Sequence, residues 1–353
     1  MGITNISIKE RMDYHNVNGL SIAVINNAQI SMAEHYGLLE AGTTKIVNSN
    51  SIFSACSISK FLTGTLVLLL TEQGLVDLDE DINKKLTSWK VPDNKFTENQ
   101  YVTLRNLLSH QSGIIDPEDS FMELNSNDGI PSIVDLLKGH TSYCKVPIQV
   151  NYEPKSDFQY SDAGYCIIQL LLEDVTGKRF EEIMDELIFQ PLKMHNSSLA
   201  MTISEEKSDN FSCGHKKSGE LVDGKYAIYP YQAASGLWTT PSDLSILVIE
   251  LINSLKGKSK IGLSVSKAKE LITSQGCKEW TGLGGFLDDS KGELEISSLG
   301  WGVGFQCMMV AYPYLEKGLV IMTNTNLGVH QLKGIIGEIY DSYTSDCEEM
   351  YLN

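Results

Sequence analysis

The chain is 353 residues long, 42% hydrophobic and 21% charged, and its 45 acidic against 28 basic side chains leave a formal charge of −17. That length buries a large core in one or two domains. The acidic surplus, spread along the chain, argues against a nucleic-acid or anionic-membrane partner, since both need a basic footprint.

Seven cysteines, at 56, 144, 166, 213, 277, 307 and 347, are widely spaced with no C-x-x-C. They argue against a disulfide framework or zinc knuckle and for a reducing compartment. The first residues, "MGITNISIKERMDYHNVNG", are polar and show no signal peptide. A cytoplasmic location is therefore favoured, and an extracytoplasmic one stays open if a leader has been removed. After a charged first helix, the apolar stretches of "GLSIAVINNAQISMAEHYGLLEAG" around Asn26-Asn27 predict a hairpin of two strands. The longest apolar block, "LVLLL" at 66–70, is too short to span a bilayer.

Further on, "TLRNLLSH" and "DAGYCIIQLLLEDVTG" have apolar residues at helical spacing. A third helix is predicted in "TGKRFEEIMDELIFQPL", with Gly177 closing the previous one and Pro191 ending it. The polar "EEKSDNFSCGHKKSGELVDGK" reads as a surface loop or hairpin. Near the end, "FQCMMVAYPYLEKGLVIMTNTN" predicts two strands joined by a turn near Glu316–Gly318, followed by a helix at about 330–342. The pattern as a whole predicts an α/β fold: an antiparallel sheet assembled from both ends of the chain and flanked by helices. One domain over 1–353 is expected, with an α/β lobe from 1–85 and 231–353 and a mainly helical lobe inserted at 86–230.

The chemistry starts at "CSISK", 56–60. A lysine is the wrong charge for the positive end of a helix dipole, yet Lys60 opens an apolar helical run. In a helix, residues three apart share a face, so the Ser57 hydroxyl and the Lys60 amine can meet. A serine is a poor nucleophile until a base takes its proton, and a lysine whose pKa is lowered by burial can help to do so. Free N–H groups at a helix start also suit a developing oxyanion. Ser-x-x-Lys occurs five times, beginning at Ser57, Ser142, Ser204, Ser264 and Ser266, but only Lys60 is followed by an all-apolar run. On this stretch alone, an N-capping Ser57 and a snorkelling Lys60 remain an equal alternative.

A second constellation, "FQYSDAGYC" at 158–166, places Tyr-Ser-Asp before a helix. With it the chain resembles the serine β-lactamase-like superfamily of class C β-lactamases, D-Ala-D-Ala carboxypeptidases and related serine esterases, whose pattern is Ser-x-x-Lys, Tyr-x-Asn, then Lys-Thr-Gly or His-x-Gly. "VTLRNLLSHQSGI", "LIFQPLKMHNSSL", "AASGLWTTPSDL" and "KGLVIMTNTN" also resemble family stretches, so the likeness runs from about residue 12 to 340. The resemblance implies that Ser57 is the acylated nucleophile, Lys60 its activating partner and Tyr160 a proton shuttle. Without it, Tyr160 is a packed aromatic at a helix start.

Two motifs depart from that pattern. Asp162 stands where Asn is usual. A carboxylate only accepts hydrogen bonds, so it loses a contact to the substrate carbonyl and would hold Lys60 charged. It is alternatively, or also, a helix cap. Aligning Gly304-Phe305 with the family's Gly-Phe puts Ser298-Leu299-Gly300 at the third motif, which removes the cation that binds a substrate carboxylate. Gly300 still allows close backbone approach, and the resemblance implies that the Trp301 N–H is the second oxyanion donor.

His110 reads as structural, at a helix end where the dipole suits it. His215 and Cys213 have no partners at metal-ligand spacing. Cys56 reads as a small buried filler, and Trp238, Trp280 and Trp301 as core or cleft residues. The expected activity is acyl transfer to Ser57 and hydrolysis of an ester or neutral amide, in a small molecule or peptide, with no metal or cofactor. The alternatives are a penicillin-binding D-Ala-D-Ala carboxypeptidase or β-lactamase, and a catalytically weak relative that only binds such ligands.

Overall fold

The computed structural model describes residues 3, 6–125, 127–203 and 208–349. Its main sheet has six strands in the order β2-β1-β8-β7-β6-β5, with every neighbouring pair antiparallel. The strands are β1 (Gly19–Asn26), β2 (Gln29–Gly37), β5 (Phe286–Asp288), β6 (Glu295–Gly302), β7 (Phe305–Tyr312) and β8 (Lys317–Thr323). A second, two-stranded ribbon pairs β3 (Phe53–Cys56) with β4 (Leu237–Thr239).

Position in the sheet explains the sequence pattern of each strand. β1, β7 and β8 lie inside the sheet and are buried almost throughout, so they read as continuous apolar runs. β2 is an edge strand, mostly exposed, and carries the polar alternation of "QISMAEHYG". The pairing of Leu20 with Thr323 joins the two ends of the chain in the middle of the sheet.

Each face of the sheet holds a core. On one, α1 (Ile8–His15) and the helix Ile335–Glu349 pack Ile8 and Met12 with Ile335 and Ile339. On the other, Ile25, Met309 and Val320 belong to the large core that contains α2 (Ser59–Glu72) and the helix Pro241–Leu255. Every residue of α2 from Ser59 to Leu70 is buried. Each such leucine stabilises the fold by about 1.5–3 kcal/mol relative to exposure. Gly64 lets the helix lie against the neighbouring chain, because a Cβ there would come within 2.3 Å of the Leu283 carbonyl oxygen.

Between the two sheet segments lie α3 (Leu104–Leu108), α4 (Ile133–Leu137) and α5 (Asp162–Thr176), which ends at Gly177 in the left-handed conformation. Three local expectations change. The third helix passes through a π turn at Asp185–Phe189 and runs beyond Pro191 to Leu192, where left-handed Lys193 ends it. The last helix starts at Ile335, because the preceding residues form a short 3-10 turn, Gln331–Lys333. The polar segment near 210–225 is only partly superficial: Lys216 and Lys217 are exposed, but Cys213 and His215 are buried. The His215 ring accepts from the Ala41 N–H at 3.0 Å and lies 2.8 Å from the Asn324 carbonyl, which makes it a structural tie. Residues 204–207, which include Ser204 and the start of the polar stretch at Glu205, are outside the described residues. No helix among them is long and apolar enough to cross a membrane.

Candidate active site

The end of β3 turns directly into α2. Cys56, fully buried, adopts φ 47° in the left-handed region that a residue with a Cβ avoids. This sharp turn puts Ser57 just outside the helix, and Ser57 does not cap it: Ile58 holds that position and no side chain caps the helix. The first turn winds tightly, with the Lys60 N–H on the Ser57 carbonyl at 3.0 Å. Among the described residues no acceptor is seen for the Ser57 N–H. Ser59 braces the turn from behind, donating to the Cys56 carbonyl at 2.6 Å and accepting from the Leu237 N–H at 3.0 Å.

The Lys60 side chain is 3% exposed. Its Nζ donates to Ser57 Oγ at 3.3 Å, to Asp162 Oδ1 at 2.6 Å and to the Ala234 carbonyl at 3.0 Å, which uses its three protons. It also lies 4.7 Å from the centre of the Tyr160 ring. Burial pulls the ammonium pKa down, but the Asp162 carboxylate and the Tyr160 phenol outweigh it, and the net direction is up. The lysine is therefore held charged, as Asp162 at this position leads one to expect.

Tyr160 precedes α5 and its ring is 40% exposed. Desolvation pushes its phenol up, against the pull of Lys60, and Asp162 adds to the rise. The cap of α5 is Ser161, whose Oγ accepts from the Gly164 N–H at 3.0 Å. Asp162 is thus not the cap, and its carboxylate is free to turn to Lys60. Asp116, which no sequence pattern singles out, takes over the open end of this helix. It accepts from the Asp162 N–H at 2.8 Å, the Ala163 N–H at 3.0 Å and the Ser161 hydroxyl at 2.7 Å. Burial and the nearby Asp162 carboxylate raise the Asp116 pKa, against these three donors.

His110 corrects its sequence reading as well. It is buried, lines the same cleft as Ser57, and stacks on Tyr160 with ring centres 4.3 Å apart. Its Nδ1 accepts from the Ser161 N–H at 3.1 Å, so that nitrogen carries no proton. Burial, assisted by Lys60, drives its pKa well below 6.5. A neutral ring gains nothing from the helix dipole. Its φ of 58° follows the helix α3, whose Thr103 and Asn106 form a reciprocal cap.

The opposite wall is β6. Ser298 is buried and lines the cleft. Gly300 presses on the nucleophile strand: a Cβ there would lie 2.3 Å from the Ala55 carbonyl oxygen and 2.9 Å from Cys307 Sγ. Two residues on, a Cβ on Gly302 would meet Cys56 Sγ at 2.7 Å. Trp301, between them, is 44% exposed and its indole N–H donates to Asn326 Oδ1 at 3.0 Å. Trp280, also 44% exposed, packs edge-on against Phe158 at 4.6 Å, whereas Trp238 is core. Among the described residues that line the cleft, Lys60 is the sole cation.

Comparison with known proteins gives a consistent result. The Beta-lactamase family model matches residues 7–335. Penicillin-binding protein 4* of Bacillus subtilis (strain 168) is 25% identical over 334 residues, covering 88% of this chain and 68% of its own length. Protein flp of Staphylococcus aureus (strain N315) is 23% identical over 67% of this chain, which spans only 44% of that relative's length. Among solved structures, the octameric penicillin-binding protein homologue from Pyrococcus abyssi has a TM-score of 0.74 at 22% identity, covering 91% of this chain and 72% of its own. SurE, solved with D-Leu, has a TM-score of 0.73 at 20% identity, covering 95% and 74%. The two structures speak for the fold.

Proposed function

Since this chain belongs to the Beta-lactamase family, we propose that it is a serine hydrolase that forms an acyl-enzyme on Ser57 and acts on an ester or a neutral amide. The observation that carries the reading is Lys60 Nζ, 3.3 Å from Ser57 Oγ and 2.6 Å from Asp162 Oδ1, in a cleft that no other cation lines among the described residues.

In this reading Ser57 Oγ attacks the substrate carbonyl, whose oxygen becomes an oxyanion held by the N–H groups of Ser57 and Trp301. Lys60 remains an ammonium and stabilises the negative charge that develops on Ser57 and Tyr160. The Ser57 proton passes to Tyr160 in its phenolate form, and Tyr160 hands it to the leaving group as the tetrahedral intermediate collapses. Water, deprotonated by the same phenolate, then attacks the ester on Ser57, and Tyr160 returns that proton to Ser57 Oγ as the C–O bond breaks and the acid is released. Because desolvation raises the Tyr160 pKa and Asp162 adds to the rise, its phenolate is a minor fraction at neutral pH, and the rate rises into the alkaline range.

A substrate carboxylate finds no free cation in the cleft, which favours esters and neutral amides over penicillins and peptides ending in D-Ala. The locked Lys60–Asp162 pair also supports a second reading, a ligand-binding relative with weak turnover. Intact-mass spectrometry decides among these, with wild type and Ser57→Ala incubated in parallel with a penicillin and with a p-nitrophenyl ester. Ester turnover that requires Ser57, with no penicillin adduct, is expected. A lasting penicillin adduct on wild type alone would restore the peptidase reading, and no adduct or turnover with any activated donor would favour the binder.

A further inference from the structure

We propose that His110 is the positioning residue of Tyr160: it grips the chain on both sides of the tyrosine and stacks on its ring, and so fixes where the phenol stands beside Ser57 and Lys60. What Tyr160 does there rests on the hydrolase reading.

Tyr160 needs an external mount. Residues 158–160 form no helix or strand, and the tyrosine is 40% exposed, so neither backbone pairing nor full burial fixes its ring. A side chain left to itself in such a place samples several rotamers. The reaction needs one of them, since a proton carrier works only within hydrogen-bond reach of the groups it serves.

His110 touches four consecutive residues of that segment. Its carbonyl accepts from the Gln159 N–H at 2.9 Å, and its Nδ1 accepts from the Ser161 N–H at 3.1 Å. Between these two bonds its ring lies 4.3 Å from the Tyr160 ring, with only 26° between the planes. Phe158 meets the same imidazole edge-on at 5.7 Å. The grip is anchored in α3, because the His110 N–H bonds the Leu107 carbonyl at 3.1 Å. Behind it, the Tyr165 hydroxyl donates to the Leu108 carbonyl at 2.9 Å and ties α3 to α5.

The residue type fits the task. Phenylalanine offers the stacking face without the acceptor, asparagine the acceptor without the face, and histidine carries both. The ring has to be neutral, because a proton on Nδ1 would displace the Ser161 N–H, and burial beside Lys60 keeps it so. The same tautomer excludes His110 as the base for Ser57: Nδ1 is engaged and Nε2 carries the hydrogen, so no lone pair is left. Its effect on the reaction therefore passes through Tyr160.

Two variants separate the grips. His110→Asn keeps an acceptor on a residue that tolerates the left-handed φ of 58° but loses the ring, and His110→Phe keeps the ring but loses the acceptor. With a p-nitrophenyl ester, each should lower kcat at least tenfold and change KM by less than threefold, because a misplaced proton carrier slows both chemical steps and leaves binding alone. Wild-type kcat in either folded variant, or a rise in KM in place of the fall in kcat, overturns the proposal. If one of them does not fold, the other decides. A measurement without turnover keeps this apart from the hydrolase reading. In protein labelled with 3-fluorotyrosine, the Tyr160 fluorine resonance is identified by its absence in Tyr160→Phe. The stacked imidazole should displace it from the shift of the free amino acid, and His110→Asn should return it most of the way. If wild type turns over no ester, the hydrolase reading falls and this resonance still decides: an unchanged shift in His110→Asn would sink the positioning role.

Discussion

Two helices point their N-termini at the same cleft, and they are finished in opposite ways. α5 is closed by side chains: Ser161 caps it, and Asp116 accepts two of its first N–H groups. α2 has no side-chain cap and no acid in its first turn, and a lysine stands there instead. A closed helix end is a fixed mount, and α5 uses it to aim Asp162 and Tyr160. An open end leaves N–H groups and positive potential for something that arrives, which in the proposed mechanism is an oxyanion. One fold element therefore serves stability and the other chemistry.

That contrast can be broken at several points. The largest effect belongs to the open end: Ser57→Ala should lower ester turnover by at least roughly a thousandfold with the thermal transition unchanged. Gly300→Ala comes next. Its methyl would sit 2.3 Å from the Ala55 carbonyl oxygen, so β6 must draw back from Ser57, and kcat should fall roughly a hundredfold for a displacement near 1 Å.

At the closed end the effect should appear in stability. Asp116→Ala removes three hydrogen bonds at the start of α5, and urea denaturation should register a loss of about 2 kcal/mol. A loss of activity with no change in stability would mean that Asp116 is not the mount described.

The junction of the two ends is Asp162. In Asp162→Asn the carboxylate that raises both Lys60 and Tyr160 is gone, so both pKa values move down. The alkaline rise of kcat/KM should then shift to lower pH with Tyr160. A profile that stays in place would exclude Tyr160 as the titrating base. Smallest of all, Trp301→Phe keeps the backbone N–H and loses only the indole bond to Asn326. It should change ester turnover by less than about fivefold, since one part-exposed hydrogen bond contributes roughly 1 kcal/mol.

What the sequence disclosed and what it hid follow the same division. Ser57 and Lys60 were legible because a three-residue spacing before an apolar run is a local pattern, and the strands at both ends of the chain because their apolar runs and turns are local too. The family resemblance adds Tyr160, Asp162 and the third motif as expectations, and the structure brings Tyr160 and Ser298 to the cleft of Ser57 and Lys60. Asp116 and His110 were not legible as parts of a site. Asp116 lies in the loop "GIIDPEDS", where an acid has no periodicity to mark it, and reaches α5 only through the fold. His110 looked like a helix-end histidine until its stacking on Tyr160 was visible.

The pairing of Leu20 with Thr323 has a kinetic consequence. Strands so distant in sequence meet only after a large loop has closed, and contacts of that range slow folding. Because β6 and β7 dock onto β8, the Trp301 wall has no sheet to join until the chain has been made at least through Thr323. A nascent chain that already carries Ser57 and Lys60 thus lacks the opposite wall of its cleft until β6, β7 and β8 have all been made.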